Sequence, residues 1–328
     1  MIMLERGNPL ALNIRVSYDS FRELRESHAY YVDKTEIIAE FLLKQFDQAV
    51  LFTRPRRFGK TLTMTMFRDF LDIRQDSRDI FSDLKVMRQA DLVRDYMNQY
   101  PVVFLSLKEV FGATYESTFK YFQNAISDLC MSYPELLQSK SINEEDKEQL
   151  LKIRQQVADE ENCIAVLSLL SRMLRDHYGK QAFVIIDEYD VPMAKALGTP
   201  SYDKVRDMIE HMLSYVCKTN DNVKAVMLSG CLYTLKNSAY TGVNNIITYN
   251  ILSPLFVSFI GFTDDDVKKI LEDAEFQGLF DIVKEWYGGY TFGRERIYCP
   301  WDVLSFVNSI QDGSYSEAMG PESYWVNT

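Results

Sequence analysis

The sequence predicts an α/β fold in which helices flank a parallel sheet, because two strongly apolar segments are each followed by polar and charged residues. The segments are residues 50–53 and 183–186, and their continuous apolar character is typical of strands covered on both faces. The first leads into a loop that ends Gly-Lys-Thr at 59–61, and the second ends in Asp187 and Glu188. Residues 62–71 then show the apolar spacing of a helix, which completes a strand–loop–helix unit.

Further strands and helices alternate along the chain. We expect strands at 48–53, 102–107, 182–187 and 224–229, a last strand near 255–260, and helices at 60–72, 114–132 and 201–218. Strands separated by helical segments imply parallel pairing with right-handed crossovers. The charged segment 139–162 is expected to be an exposed helix or an insertion.

Helical segments are also predicted on either side of this sheet. In the entry segment 14–45, residues 18–21 start one helix, and residues 33–35 cap a second helix at 36–44. Beyond residue 261, Thr263 and the acidic residues after it start a helix that continues to 274; a second ends at 287 and a third spans 301–310. We therefore expect a core domain at 1–260 and a small helical lid, or the start of a C-terminal region, at 261–328.

The end of the loop has the chemistry of a phosphate-binding loop. Backbone amides at Gly59 and in the following helix would face a β-phosphate, the Lys60 ammonium would bind β- and γ-phosphate oxygens, and the Thr61 hydroxyl would bind Mg²⁺. This is the second half of the pattern Gly-x-x-x-x-Gly-Lys-[Ser/Thr], and it predicts a P-loop NTPase. The residues expected to contact the nucleotide here are Arg56, Arg57, Phe58, Gly59, Lys60, Thr61 and Leu62.

The front half of the loop departs from that pattern. Arg54 stands where the first glycine is expected, and Pro55 fixes one φ angle and removes an amide. We therefore expect a variant loop shape at its entry. Arg54, Arg56 and Arg57 place three guanidinium groups beside the expected phosphates, and three roles stay open for them: binding phosphate, holding acidic neighbours or facing solvent.

Asp187 and Glu188 supply the other half of such a site. At the carboxyl end of a strand, Asp187 would hold Mg²⁺ together with Thr61, and Glu188 would be the base that polarises the attacking water. Open α/β sheets bind ligands at this edge. Asp190 adds a third carboxylate. Ser229, at the end of the next strand, is a candidate sensor of the terminal phosphate or simply a strand-ending residue.

Several segments resemble the AAA-ATPase-like proteins of bacteria, and together they span nearly the whole chain: residues 31–35, 51–61, 100–108, 185–190 and 286–290. The resemblance implies a P-loop sheet of the additional-strand, AAA-like type. It places Lys60 in the Walker A motif, and Asp187 and Glu188 in the Walker B motif. That family carries arginine at the position of Arg54, so the resemblance also implies that the absent glycine is normal for the group.

The resemblance also has implications for partners. Members of the family typically continue into a C-terminal restriction-endonuclease-like nuclease domain of the PD-(D/E)XK type, whereas this sequence stops at residue 328. It therefore implies the ATPase half of a larger protein, or a copy without the nuclease. A protein partner, a nuclease domain supplied elsewhere and an oligomer all stay open.

The leading hypothesis is Mg-dependent ATP binding and hydrolysis, with Lys60, Asp187 and Glu188 as catalytic residues and ATP and Mg²⁺ as cofactors. Hydrolysis would move the lid relative to the core and so act on an unknown partner. The alternative is an ATP-binding regulatory or interaction switch with little intrinsic turnover. A small-molecule or nucleotide kinase is a third hypothesis, weakened by Glu188, because phosphoryl transfer to a hydroxyl needs no water-activating glutamate.

Composition and charge argue against other classes. The net charge of −11 argues against a generally basic nucleic-acid surface, although the basic residues of 54–68 leave nucleic-acid binding open. No apolar stretch is long enough to span a bilayer, and the N-terminus does not resemble a secretory signal, so we expect a cytoplasmic protein. Five scattered cysteines predict buried free thiols, and the three histidines form no ligand pattern.

A few residues have alternative interpretations. Tyr31 and Lys34 could touch adenine, and a packed aromatic ring and a helix cap explain them equally well. Arg294 and Arg296 are candidates for a second sensor, but they lie in a predicted turn. The polar loop from 237 to 245 could carry partner contacts, and Lys236 just before it could reach a neighbouring subunit as a cationic finger.

Overall fold

The structure is a computed structural model that describes residues 11–44, 49–218, 220–231, 246–315, 320–322 and 324. Its main strands are β1 Ala49–Thr53, β2 Val102–Ser106, β3 Ala182–Asp187, β4 Val223–Gly230 and β5 Ile246–Tyr249. They form a parallel sheet in the order β2-β3-β4-β1-β5. Strand β4 therefore lies between β1 and β3. The α/β fold and the first four predicted strands are confirmed.

The prediction of a last strand near 255–260 is wrong. The fifth strand is β5, and Val257–Phe259 is a short 3₁₀ helix. Phe256 has a φ angle of 60°, which is incompatible with a strand. Phe256, Val257 and Ile260 are apolar because the turn packs into the same cluster as β1. Apolar character here signals burial and not an extended backbone.

The helices confirm the predicted alternation with strands. They are α1 Phe21–Glu26, α2 Glu36–Leu43, α3 Lys60–Leu71, α4 Arg78–Phe81, α5 Ala90–Tyr96, α6 Tyr115–Met131, α7 Glu135–Gln138, α8 Glu144–Arg154, α9 Glu160–Ile164, α10 Val166–Tyr178, α11 Val191–Ala196, α12 Tyr202–Cys217, α13 Asp264–Asp273, α14 Phe280–Tyr287 and α15 Pro300–Gln311. The segment 139–162 includes α8, whose Leu150 and Ile153 are buried in the main core. That helix is therefore amphipathic and packed, not simply exposed.

Helices cover both faces of the sheet, which explains why its strands are continuously apolar. Leu51 and Val184 point to one face and join a cluster with α6, α8, α10 and α12. Val50 and Ile185, their neighbours in sequence, join a second cluster with α2 and α3. Successive strand residues alternate between faces, so a strand buried on both sides needs an apolar residue at every position.

The C-terminal region contains a β-hairpin that the sequence analysis missed. Its strands are β6 Tyr290–Phe292 and β7 Glu295–Ile297, and they pair antiparallel between α14 and α15. The predicted helices on either side are confirmed, and Thr263 caps α13 in a capping box with Asp266. Arg294 lies at the tip of the hairpin, and Arg296 lies on β7.

A third apolar cluster joins the entry segment to the C-terminal helices. Ile14 is buried together with residues of α13, α14 and α15, and Tyr30 and Val32 pack against them. The Tyr30 hydroxyl donates a hydrogen bond to Asp273 over 2.8 Å. Residues far apart in the sequence thus form one small core beside the sheet.

Two further findings concern membrane-spanning helices and the cysteines. None of the described helices is long and apolar enough to cross a membrane. All five cysteines are free thiols, as predicted; Cys231 alone among them is only half-buried.

Candidate functional site

The carboxyl ends of β1, β3 and β4 meet at one edge of the sheet. Thr53, the last residue of β1, lies opposite Gly230, and Ile186 of β3 lies opposite Leu228. The segments after these strands therefore start close together. Ligands of open α/β sheets bind at this edge.

The loop 54–59 turns from β1 into α3 through two residues in the left-handed region. Arg57 has a φ angle of 68° and Gly59 has one of 83°. Gly59 directly precedes α3, and a side chain there would be strained by the backbone alone, since the space around it is open. The first residues of α3 line the cavity described below, and the first amides of a helix have no partner within it, so they can bind an anion there.

Arg54 is a structural residue of the sheet. Its side chain is 1% exposed, and its guanidinium donates hydrogen bonds to the carbonyls of Thr53, Tyr249 and Phe256 over 2.9, 3.0 and 3.3 Å. It also lies over the ring of Phe292 on the hairpin. Burial lowers the pKa of Arg54 to about 10, so it remains charged at neutral pH. Among the residues that the structure describes, Arg54 therefore neither lines the cavity, nor holds an acidic neighbour, nor faces solvent. It binds backbone carbonyls of β1, β5 and the turn after β5 instead.

Lys60 is almost completely buried at the start of α3. Its side chain is 3% exposed, and its ammonium donates to the carbonyl of Pro55 over 3.1 Å and to the thiol of Cys231 over 3.3 Å. A carboxylate oxygen of Glu188 lies 3.7 Å away. The ammonium is thus enclosed by the loop on one side and by the ends of β3 and β4 on the other.

Asp187 connects three elements through its carboxylate. It is fully buried and accepts a hydrogen bond from the Thr61 hydroxyl of α3 over 2.8 Å and another from the Ser229 hydroxyl of β4. Burial raises the pKa of Asp187, and the two hydroxyls act in the opposite direction. The structure therefore brings together three of the residues that the sequence analysis assigned to one site.

Glu188 stands directly after this carboxylate with a strained backbone. Its φ angle is 54°, and its amide donates to the Ser229 hydroxyl over 3.3 Å. Burial raises the pKa of Glu188, whereas the nearby charge of Lys60 lowers it. Positive φ in a non-glycine residue is costly and is often found at functional sites.

Asp190 has a different environment from the other two carboxylates. It is 2% exposed, and it accepts a hydrogen bond from the backbone amide of Cys231 over 3.0 Å. A side chain at Gly230 would lie 2.6 Å from Asp190, so only glycine permits this approach. Asp190 therefore anchors the end of β4.

A cavity of about 530 Å³ opens beside these residues. This size is typical of small-molecule sites. The polar part of its lining includes Arg56, Gly59, Lys60, Thr61, Lys108 and Glu188. The apolar part includes Val16, Tyr30, Val32, Phe259, Phe262 and Trp301. A ligand with an anionic end and a flat apolar end fits this division.

The other loop residues predicted to contact the nucleotide differ in their exposure and in their contacts. Leu62 lines the cavity. Phe58 lines it too, but it is 1% exposed and packs edge-on against Tyr290 of the hairpin. Arg57 lies 4.3 Å above the ring of Trp301 and donates to the carbonyl of Tyr324 over 3.3 Å.

Tyr31 and Lys34 both line the cavity and both have protein partners. The Tyr31 hydroxyl contacts the sulfur of Met66, and the Lys34 ammonium binds Asp266 and the carbonyl of Ser258. Arg294 and Arg296 are not among the lining residues. Lys236 and the loop up to 245 lie outside the described residues.

Sequence reasoning missed several cavity residues. Lys108 comes two residues after β2, and Ser106 of β2 lies opposite Asp187 of β3. The position of Lys108 could therefore have been inferred from strand adjacency alone. Trp301 and Tyr18 gave no such signal, because they reach the cavity through packing between distant segments.

The residues expected to bind magnesium have suitable donor atoms. Thr61 and Asp187 offer a hydroxyl and a carboxylate oxygen 2.8 Å apart. Mg²⁺ in nucleotide sites takes one or two such oxygens from the protein and completes its shell with phosphates and water. Within the described ranges, no group of three or more His, Cys, Asp or Glu side chains is arranged to hold a metal.

The chain belongs to the AAA-ATPase-like family of predicted AAA-ATPases, whose family model matches residues 15–239. The family assignment confirms the resemblance and supports nucleotide binding in general terms. A curated relative from Azotobacter chroococcum mcd 1, described as an uncharacterized protein in the vnfD 5′ region, is 27% identical over 317 residues. That alignment covers 95% of this chain but only 55% of the relative, so the chain spans about half the relative's length. No solved structure matches the chain.

The contacts of Arg54 predict a large stability effect. Replacing it in Arg54→Ala removes a charged hydrogen-bond donor from three buried carbonyls, and we expect a loss of about 3 kcal/mol in the free energy of unfolding. Arg54→Lys should recover only part, because an ammonium cannot reproduce the planar fork. Urea unfolding measures both, with exposed Arg78→Ala as the matched control. An Arg54→Ala protein as stable as the control would contradict this account.

The burial of Asp187 predicts a pH-dependent stability difference. Its pKa is raised above the ordinary value of 3.8, so the native state binds this proton more tightly than the unfolded chain does. The free energy of unfolding should therefore fall as pH rises through the raised pKa. Asp187→Asn removes the buried charge and can still bond Thr61 and Ser229.

We thus expect Asp187→Asn to have a higher free energy of unfolding than the wild type at pH 7. The difference between the two proteins should shrink as the pH is lowered toward the ordinary pKa of aspartate. Urea unfolding at a series of pH values measures this difference. The exposed Asp79→Asn is the control for loss of a surface charge. A less stable Asp187→Asn protein at pH 7 would show that this charge does not destabilise the native state.

Proposed function

We propose that the chain is a P-loop ATPase of the additional-strand type that binds and hydrolyses Mg-ATP. The observation that carries the proposal is the convergence of Lys60, Thr61 and Glu188 on a cavity of nucleotide size, with the buried carboxylate of Asp187 bonded to Thr61 directly behind them. The sheet order supports it, because β4 stands between the strand before Lys60 and the strand that ends in Asp187. Family membership supports the same activity.

Each residue has a distinct role in this proposal. The Lys60 ammonium would leave Pro55 and Cys231 and bind β- and γ-phosphate oxygens, beside the free amides of α3. Thr61 and Asp187 would hold Mg²⁺, which neutralises phosphate charge when bound. Glu188 would accept a proton from the attacking water.

Ser229 is assigned a positioning role. Its hydroxyl donates to Asp187 and accepts from the amide of Glu188. Both hydrogen-bonding directions of the hydroxyl are thus used within the protein, which favours orientation of the two carboxylates over direct contact with the terminal phosphate. This refines the sensor role expected from the sequence.

We also propose that residues 261–328 act as a lid over the nucleotide, with 1–260 as the core. Phe262 and Trp301 line the cavity, and Arg57 of the loop lies against Trp301. A change at the phosphates would therefore reach the C-terminal region through contacts that include this cation–π pair. In a longer protein, such motion would act on a further domain or a protein partner.

A regulatory ATP switch is the second candidate. The contact of 3.7 Å between Lys60 and Glu188 favours it, because the catalytic base faces the lysine and not an open water site. The turnover rate separates the two candidates. A switch would bind ATP and release almost no phosphate.

Two variants test the hydrolytic proposal. Lys60→Ala should weaken ATP binding roughly 100-fold, as expected for a lost charge-assisted contact. Glu188→Gln should keep binding and lower kcat roughly 10²- to 10⁴-fold, because the amide cannot accept the proton. Equilibrium binding of a fluorescent ATP analogue and phosphate release measure the two effects.

Lys152→Ala, which removes an exposed ammonium on α8, is the control and should match the wild type. If Glu188→Gln releases phosphate as fast as the wild type, Glu188 is not the base. If the wild type binds no nucleotide, the proposed function itself is wrong.

A further inference from the structure

The three arginines of the loop have three different environments. Arg54 is buried against backbone carbonyls, and Arg57 is held by Trp301 and Tyr324. Arg56 is exposed, and within the part of the chain that the structure describes its guanidinium has no hydrogen bond or ion pair. The loop therefore offers one guanidinium that a ligand can take without displacing a protein partner.

Arg56 lines the cavity together with Lys60 and Glu188, the residues proposed to act on the terminal phosphate. It comes directly after Pro55, whose carbonyl contacts the Lys60 ammonium over 3.1 Å, so its side chain starts beside the group that would bind the β- and γ-phosphates. Arg56 lines the same cavity as Glu188. Its charge also acts on the Glu188 carboxyl, opposing the dominant effect of burial on that pKa.

The other cations of the cavity lining are engaged elsewhere. Apart from Lys60 and Arg57, they are Arg15, Lys34 and Lys108. Arg15 bonds the side chain of Asn13, and Lys34 binds Asp266. Lys108 forms an exposed ion pair of 2.9 Å with Asp19. Arg56 is thus the cation that can move to a bound phosphate at the smallest cost.

We propose that Arg56 is a catalytic arginine that the chain supplies to its own nucleotide. In hydrolysis, the water oxygen bonds to the terminal phosphorus, its proton passes to Glu188, and the bond to the bridging oxygen breaks with its electron pair leaving on ADP. Arg56 forms no covalent bond. It donates hydrogen bonds to the phosphoryl oxygens as negative charge develops, which can accelerate such reactions 10³- to 10⁵-fold.

This inference rests on the proposed ATP hydrolysis. It adds that the catalytic arginine comes from the same chain that binds the nucleotide. An arginine supplied from a neighbouring subunit makes hydrolysis depend on assembly, whereas one on the phosphate loop does not. The two arrangements differ in a mixing experiment, because a site that lacks Arg56 can be rescued only by an arginine from another chain.

The experiment uses the full chain in three preparations: Arg56→Ala, Lys60→Ala and an equal mixture of both. Arg56→Ala should bind a fluorescent ATP analogue within roughly tenfold of the wild type and lose roughly 10³-fold in kcat. Arg56→Lys should retain an intermediate rate, because it keeps the charge but not the fork. The mixture should release phosphate no faster than its components, and exposed Arg78→Ala should match the wild type.

The outcomes separate this inference from the function on which it rests. A wild type without hydrolysis would overturn the proposed function and the inference with it. A wild type that hydrolyses ATP beside an equally active Arg56→Ala would overturn the inference alone. Recovery of activity in the mixture would overturn it too, by showing that Arg56 acts on a neighbouring chain. Loss of ATP binding by Arg56→Ala would also overturn it, by showing that Arg56 binds the nucleotide in the ground state.

Discussion

The site depends on one buried carboxylate. Asp187 has no exposed surface, yet it is placed by hydroxyls from two other elements, Thr61 on α3 and Ser229 on β4. Its hydrogen bonds therefore fix the distance between the loop after β1 and the ends of β3 and β4. A buried charge is costly unless it is hydrogen-bonded, so this network constrains all three elements at once. The strained backbone of Glu188 and the enclosed ammonium of Lys60 lie directly beside this network.

The loop achieves its shape without the first glycine of the usual pattern. Arg54 turns away from the cavity and binds carbonyls at the end of the sheet, including that of Tyr249 on β5. Its guanidinium also meets Phe292 of the hairpin. One side chain thus connects the loop 54–59, the edge strand and the C-terminal region. Arg57 adds a second connection to that region through Trp301.

The parts that the sequence predicted correctly depend on local pattern and parallel pairing. A strand covered on both faces is apolar at every position, so β1 and β3 could be recognised from the sequence. Parallel pairing brings the loops after these strands to one edge of the sheet. That reasoning was sufficient to group Thr61, Asp187 and Ser229. It failed for residues 255–260, where burial of a turn gives the same apolar signal as a strand.

The positions of the loop arginines could not be predicted, because their partners are distant in the sequence. Arg54 meets Tyr249 across a separation of 195 residues, and Arg57 meets Tyr324 across 267. No local pattern marks such contacts. The short hairpin β6–β7 was missed for a related reason, since three-residue strands carry too little periodicity to be recognised.

The most direct test of the account is the binding of an ATP analogue with a non-hydrolysable β–γ bridge, measured by calorimetric titration with Mg²⁺ and again with EDTA. The wild type should bind one analogue per chain, and more tightly with Mg²⁺. Thr61→Val removes one proposed metal ligand while keeping the shape of the side chain, so it should lose that advantage. Absence of binding, or binding that is equal with and without Mg²⁺, would contradict the assignment of this edge of the sheet as a Mg-ATP site.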